Sequence, residues 1–89
     1  MIRKHAYYGG MVQGVGFRYT AKRVAGGYRL GGYVKNMSDG RVELVVEGDV
    51  EDVNGFLEEL GRAMSYYIRD TQVIDEPFEG GFLRFDVRF

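Results

Sequence analysis

The sequence predicts an α+β sandwich, with two helices laid on one face of an antiparallel sheet, in a single domain spanning residues 1–89. Three observations predict it. Apolar residues fall at helical spacing in two separate segments, near 17–25 and 50–60, and a strand–turn–strand unit lies between them. Asp39-Gly40 marks a tight reversal in the middle of that unit. Finally, 89 residues can build one hydrophobic core but not two, so all elements must share it.

The elements follow in chain order. Ile2 to Tyr8 reads as a strand with Ala6 and Tyr8 on one face, and a glycine-rich stretch follows it. Phe17, Ala21, Val24 and Ala25 form a helical stripe that Gly26-Gly27 should end, since each glycine costs about 1 kcal/mol against alanine. Tyr28 and Leu30 then pack the helix exit. Tyr33–Asn36 and Arg41–Glu47 are the hairpin arms. Asp49 is placed as an N-cap for a second helix whose stripe is Val50, Val53, Phe56, Leu57 and Leu60, ending near Gly61. Ile68–Ile74 is a fourth strand. In "FLRFDVRF" alternate residues set Leu83, Phe85, Val87 and Phe89 against Phe82, Arg84, Asp86 and Arg88, so a further C-terminal strand with core aromatics is expected. The order β-α-β-β-α-β plus that strand segment is the ferredoxin-like sandwich. Such a fold hosts many functions, so the site must decide.

Composition narrows the field. A net charge of −1 leaves no broad basic surface for nucleic acid or an anionic membrane. No apolar run approaches the roughly 20 residues that cross a bilayer. The start, "MIRKHAYYGG", lacks the apolar core of a signal peptide. Cysteine is absent, which removes disulfides, thiolate metal sites and a cysteine nucleophile. A cytoplasmic, monomeric enzyme or binding module is the expectation, with neither a nucleic-acid nor a membrane partner. Arg41–Glu47, "RVELVVE", also lacks the stacking aromatics of RNA-recognition modules.

The chemistry points to "GGMVQGVGFR", residues 9–18. A glycine-rich turn leading into a helix N-terminus presents unpaired backbone N–H groups, reinforced by the helix dipole. Gly10, Gly14 and Gly16 can adopt positive φ and let those groups converge. Arg18, in the first helical turn, can fork two oxygens of the same anion. Known alternatives fail by spelling. A phosphate loop of the Walker type needs Lys-Ser/Thr where Val15-Gly16 stands. A dinucleotide fingerprint needs glycine where Tyr19 stands, and a cysteine phosphatase needs a thiolate where Val12 stands. Water is therefore the expected attacker in any phosphoryl chemistry.

"GMVQGVGFR" and "GYVKNMSDGRVE" together resemble the paired signatures of the acylphosphatase family. Gly10, Val12, Gln13, Gly14, Val15, Phe17 and Arg18 fit the first, and Gly32, Tyr33, Val34, Asn36, Asp39, Gly40 and Val42 fit the second. The resemblance implies hydrolysis of small acyl phosphates, such as carbamoyl phosphate or glycolytic acyl phosphates, without metal or cofactor. It implies that backbone amides of Gln13, Gly14, Val15, Gly16 and Phe17 surround the phosphoryl oxygens. It further implies that Arg18 clamps the phosphate and that Asn36 orients the attacking water. A non-catalytic anion-binding or regulatory domain of the same fold is the alternative. Two departures stand out: "GRAMSYYIRDTQV" lacks the Gly-Pro pair common in the family after the second helix, and Gly26-Gly27 alters the first helix exit.

The remaining polar residues receive structural readings. Gln13 should tie the loop together through its side chain, and Asp39-Gly40 should set the reversal that fixes Asn36. His5, opposite Ala6 and Tyr8 on the first strand, is read as a solvated side chain. Glu47, Asp49, Glu51 and Asp52 are read as one acidic group suited to the second helix's dipole.

Overall fold

The computed structural model describes residues 1–89. Strand β1 (Ile2–Gly10) leads to helix α1 (Phe17–Ala25), and strands β2 (Leu30–Asn36) and β3 (Val42–Gly48) form the hairpin. Helix α2 (Val50–Ala63), strand β4 (Ile68–Glu76) and strand β5 (Phe85–Arg88) complete the chain. The sheet runs β4-β1-β3-β2-β5. Four strands pair antiparallel, as the sequence predicts, but β5 pairs parallel to β2 and makes the sheet mixed. With β3 between them, β1 and β2 run the same way, so the loop after β1 and the end of β2 share one pole of the molecule.

Both helices bury their stripes on one sheet face. Phe17, Ala21, Val24 and Ala25 of α1 and Val53, Phe56 and Leu60 of α2 meet Ala6, Tyr8, Val34, Leu44 and Val46 from the strands. Phe56 is fully buried against the Phe85 ring, with centroids 5.3 Å apart. Truncating it to alanine would cost about 3–5 kcal/mol through lost burial and the cavity left behind. Val50 departs from the predicted stripe. It sits in the first turn of α2 and stays half exposed.

The helix ends explain the two family departures. Gly26 and Gly27 end α1 without positive φ, and the Gly27 and Tyr28 amides donate to the Val24 and Ala25 carbonyls. Helix α2 runs past Gly61 to Ala63. Buried Met64 then accepts from the amides of both Tyr67 and Ile68, a turn that closes without proline.

The predicted last strand is shorter than the alternation suggests. Because β4 and β5 lie on opposite edges, residues 77–84 must cross the end of the sheet as a strap. Gly80 and Gly81 bend it at φ 77° and 91°. Within the predicted aromatic core only Phe85 is buried; Leu83 and Phe89 are 97% and 84% exposed.

Glu47 anchors this strap and does not belong to the acidic group at the α2 start. It is 4% exposed, and its carboxylate accepts from the Glu79 and Gly80 amides at 2.9 and 3.0 Å and from Arg3 Nη1 at 3.1 Å. A buried carboxylate is tolerable only with partners of this kind. His5 also departs from its expected solvation. Its ring nitrogens lie 2.8 Å from Glu76 Oε2 and Glu43 Oε2, and its ring stacks on Tyr7 at 4.7 Å.

Candidate active site

The two helices begin differently. Helix α2 starts at Asp49 with Glu51 and Asp52 in its first turn, the charges that a positive helix end favours. Asp49 sits at the N-cap position, although its side chain makes no capping bond. Helix α1 starts at Gly16 in the left-handed conformation, at φ 79° and ψ 20°, with no capping side chain and no acid in its first turn. It carries Arg18 there instead. Positive charge on a positive helix end is unfavourable until an anion joins it.

The loop before α1 has the geometry of an anion cradle. Gly14 and Gly16 both take φ near 78°, while Val15 between them does not have positive φ. Such alternation turns successive N–H groups toward one concave side. The amides of residues 13–17 donate to no backbone carbonyl, whereas the flanking Met11 and Thr20 amides bond to Tyr67 and Gly16. A Cβ on Gly14 or Gly16 would meet nothing within 4 Å, so the glycines serve conformation and not close packing.

A cavity of about 190 Å³ opens at this point, lined by Val12, Gly14, Gly16, Phe17, Arg18, Tyr19 and Asn36. The structure thus brings Arg18, Asn36, Gly14, Gly16 and Phe17 to one place. Asn36 arrives there as the last residue of β2, paired with Val42 across the hairpin. Gln13 and Val15 do not line the cavity. The Gln13 amide turns away and donates to the Met37 and Arg41 carbonyls at 2.7 and 3.0 Å, which ties the cradle to the hairpin turn as its predicted structural role requires. The Val15 side chain packs against the core.

The hairpin turn is itself braced. The Met37 amide donates to the Arg41 carbonyl at 2.8 Å, and Gly40 adopts φ 96°. Asp39 accepts from the Arg41 amide at 3.1 Å and its Nε at 2.9 Å. Those bonds hold the Asp39 carboxyl below its ordinary range. The expected division holds: Asp39-Gly40 shapes the turn, and the turn places Asn36.

Three neighbours escape sequence reading. Tyr19 lines the cavity while 63% exposed. Arg18 donates to the Arg88 carbonyl at 3.3 Å, and its guanidinium lies 4.6 Å from the Phe89 ring centre. Contacts spanning 70 residues leave no local pattern. The one hint was negative, since no acid stands at i±3 or i±4 from Arg18 to pair with it.

The sequence model of the family described as Acylphosphatase matches residues 4–87, nearly the whole chain. The chain belongs to the acylphosphatase family. It is 39% identical over 89 residues to an acylphosphatase of Syntrophobacter fumaroxidans, covering 98% of this chain and 91% of that one. It is 41% identical over 90 residues to one from Methylococcus capsulatus, covering 94% and 98%. The crystal structure of acylphosphatase from Bacillus subtilis superposes with a TM-score of 0.91 at 33% identity, over 100% of both chains. This acylphosphatase is a hydrolase, and its reaction splits an acyl phosphate into a carboxylate and inorganic phosphate. Its substrate is a small molecule. No helix is long and apolar enough to cross a membrane.

Proposed function

We propose that the amides of residues 13–17 and the Arg18 guanidinium hold the phosphoryl group, and that Asn36 orients the attacking water. The observation that carries this reading is the shared cavity of Gly14, Gly16, Phe17, Arg18 and Asn36. The water oxygen bonds to phosphorus as the bond from phosphorus to the acyl oxygen breaks. The carboxylate leaves with the electron pair, and the water's protons pass to phosphate oxygens. A carboxylate is a stable leaving group, so no strong general acid is needed. Positioning and charge stabilisation supply the rate. Arg18 stays charged at ordinary pH, and the Asn36 amide can accept from a water but cannot serve as a neutral-pH base.

On this reading the enzyme needs no metal or cofactor and works as a cytoplasmic monomer on small acyl phosphates, with no nucleic-acid or membrane partner. Phosphate release from benzoyl phosphate in the presence of EDTA tests it. Arg18→Ala and Asn36→Ala should each lose on the order of 100-fold to 1,000-fold in rate, with unchanged folding. Turnover that survives Asn36→Ala removes the water-orienting role. A folded wild type that binds inorganic phosphate without turnover would instead make the cradle a sensing site.

A further inference from the structure

No acidic side chain takes part in the clamp on Arg18. One guanidinium nitrogen donates to the Arg88 carbonyl at 3.3 Å, and the Phe89 ring lies 4.6 Å from the guanidinium carbon. The neighbouring acid on β5, Asp86, is engaged elsewhere, by Lys22 at 3.3 Å and Arg84 at 2.9 Å. Those two cations hold the Asp86 carboxyl below its ordinary range, which keeps its charge committed to them. Arg88 itself turns aside to lie 4.0 Å from the Tyr33 ring centre.

Phe89 has little else to do. Its side chain is 84% exposed and contributes nothing to the core, although it sits where alternation along β5 would have predicted burial. An exposed phenyl ring against an arginine on the rim of a phosphate cradle calls for a reason beyond stability.

We propose that Phe89 is a positioning residue for Arg18: its ring and the Arg88 carbonyl pre-set the guanidinium without a side-chain ion pair. This rests on Arg18 being the phosphate clamp. The long arginine side chain would otherwise lose rotamer freedom at the moment of binding. A carboxylate could also hold it, but would compete with the phosphoryl oxygens for the same N–H groups. A ring face fixes the guanidinium plane through the cation–π attraction while its remaining N–H edge stays available.

The test is a series at position 89, with kcat/KM on benzoyl phosphate and the inhibition constant for inorganic phosphate measured together. Phe89→Ala keeps the backbone and removes only the ring; both constants should worsen about two- to fivefold. Phe89→Leu restores bulk without a π face and should behave like alanine, whereas Phe89→Tyr should match wild type. Phe89→Glu should lose about tenfold or more, because its carboxylate takes the guanidinium from the phosphate. Thermal midpoints should stay level across the series, since the ring is exposed. The Arg18 Nε–H proton resonance should shift when the ring is lost, whether or not activity follows.

A series in which leucine equals phenylalanine would overturn the proposal, as would losses that track the thermal midpoint. Arg18→Ala measured alongside separates the two readings. If it remains active, the clamp assignment itself falls. If it is inactive while the position-89 series is flat, only the positioning role falls.

Discussion

The two poles of this acylphosphatase carry the same parts used in opposite ways. Each has a glycine-bearing loop with backbone N–H groups, an arginine and an aromatic ring. At the strap pole the N–H groups of Glu79 and Gly80 are satisfied by the protein's own carboxylate, Glu47. Arg3 there pairs with Glu47 and Glu76 and lies 5.9 Å from the Phe82 ring centre. At the cradle pole the loop amides make no internal backbone bond, and Arg18 has a carbonyl and the Phe89 ring for company. The difference teaches what makes a binding site out of ordinary materials. An internal anion turns a nest and an arginine into a staple; withholding that anion leaves the N–H groups and the guanidinium open to one from outside, as the proposed function requires.

The comparison breaks most visibly if the two arginines are exchanged in importance. Arg18→Ala should cost on the order of 100-fold to 1,000-fold in kcat/KM with little change in stability. Arg3→Ala should do the reverse. It strands the buried Glu47 carboxylate, whose side chain is 4% exposed, with only two amide donors. Removing one member of a buried pair costs about 3 kcal/mol or more, which urea unfolding would read. Turnover of Arg3→Ala, assayed far below its unfolding midpoint, should stay within about twofold of wild type, because no contact of Arg3 reaches the cavity. Losses of similar size in both assays for both variants would mean the poles are not separate.

Glycine substitutions sharpen the contrast at smaller scale. Gly14 needs its left-handed φ of 78° but has open space around it. Gly14→Ala should therefore cost about 1–2 kcal/mol in strain, and should disturb phosphate inhibition because the loop amides reorient. Gly31 lacks positive φ but is crowded. A Cβ there would come within 2.5 Å of the Phe82 Cβ, on the strap. Gly31→Ala must push the strap outward, an overpacking cost of about 1–3 kcal/mol, while leaving the phosphate inhibition constant unchanged. Unfolding and inhibition measured on the same two variants decide it.

What the sequence revealed of the two poles was equally lopsided. The cradle was legible because its requirements are local. Positive φ needs glycine at 14 and 16, Arg18 falls in the first turn of α1, and the hairpin turn sets Asn36 at the end of β2. The strap pole was illegible because its logic is non-local. Glu47 looked like one more acid near a helix start, and only the topology, with β4 and β5 on opposite edges, brings residues 79–80 over it. His5 was misjudged for the same reason: its partners, Glu43 and Glu76, are 38 and 71 residues away. Alternation in 82–89 was a true pattern read too far, since a strap with two left-handed glycines interrupts it. Beside Arg18, the Phe89 ring and the cavity-lining Tyr19 were hidden because neither belongs to the glycine-rich loop.

The smallest expected effect is one of acidity, and it separates the poles without altering a side chain at the cradle. Glu76 accepts from Arg3 Nε at 2.9 Å and lies 2.8 Å from His5 Nδ1. The hydrogen bond from Arg3, then that from His5, holds its carboxyl below the ordinary glutamate range. A carboxyl whose folded value is depressed favours the folded state at pH above its unfolded value, about 4.3. That contribution drains away as pH falls below that value and through the folded one. Because the group is still about a third open to water, at 31% exposure, solvent screens the gain and the slope is shallow. Urea midpoints recorded from pH 6 down to pH 3 should therefore fall slightly less steeply in Glu76→Gln than in wild type, while inhibition by inorganic phosphate at pH 6 is identical in the two proteins. A glutamine variant with an unaltered acid slope would mean that Glu76 is as free in the fold as in the unfolded chain. The strap pole would then be held by Glu47 and Arg3 alone.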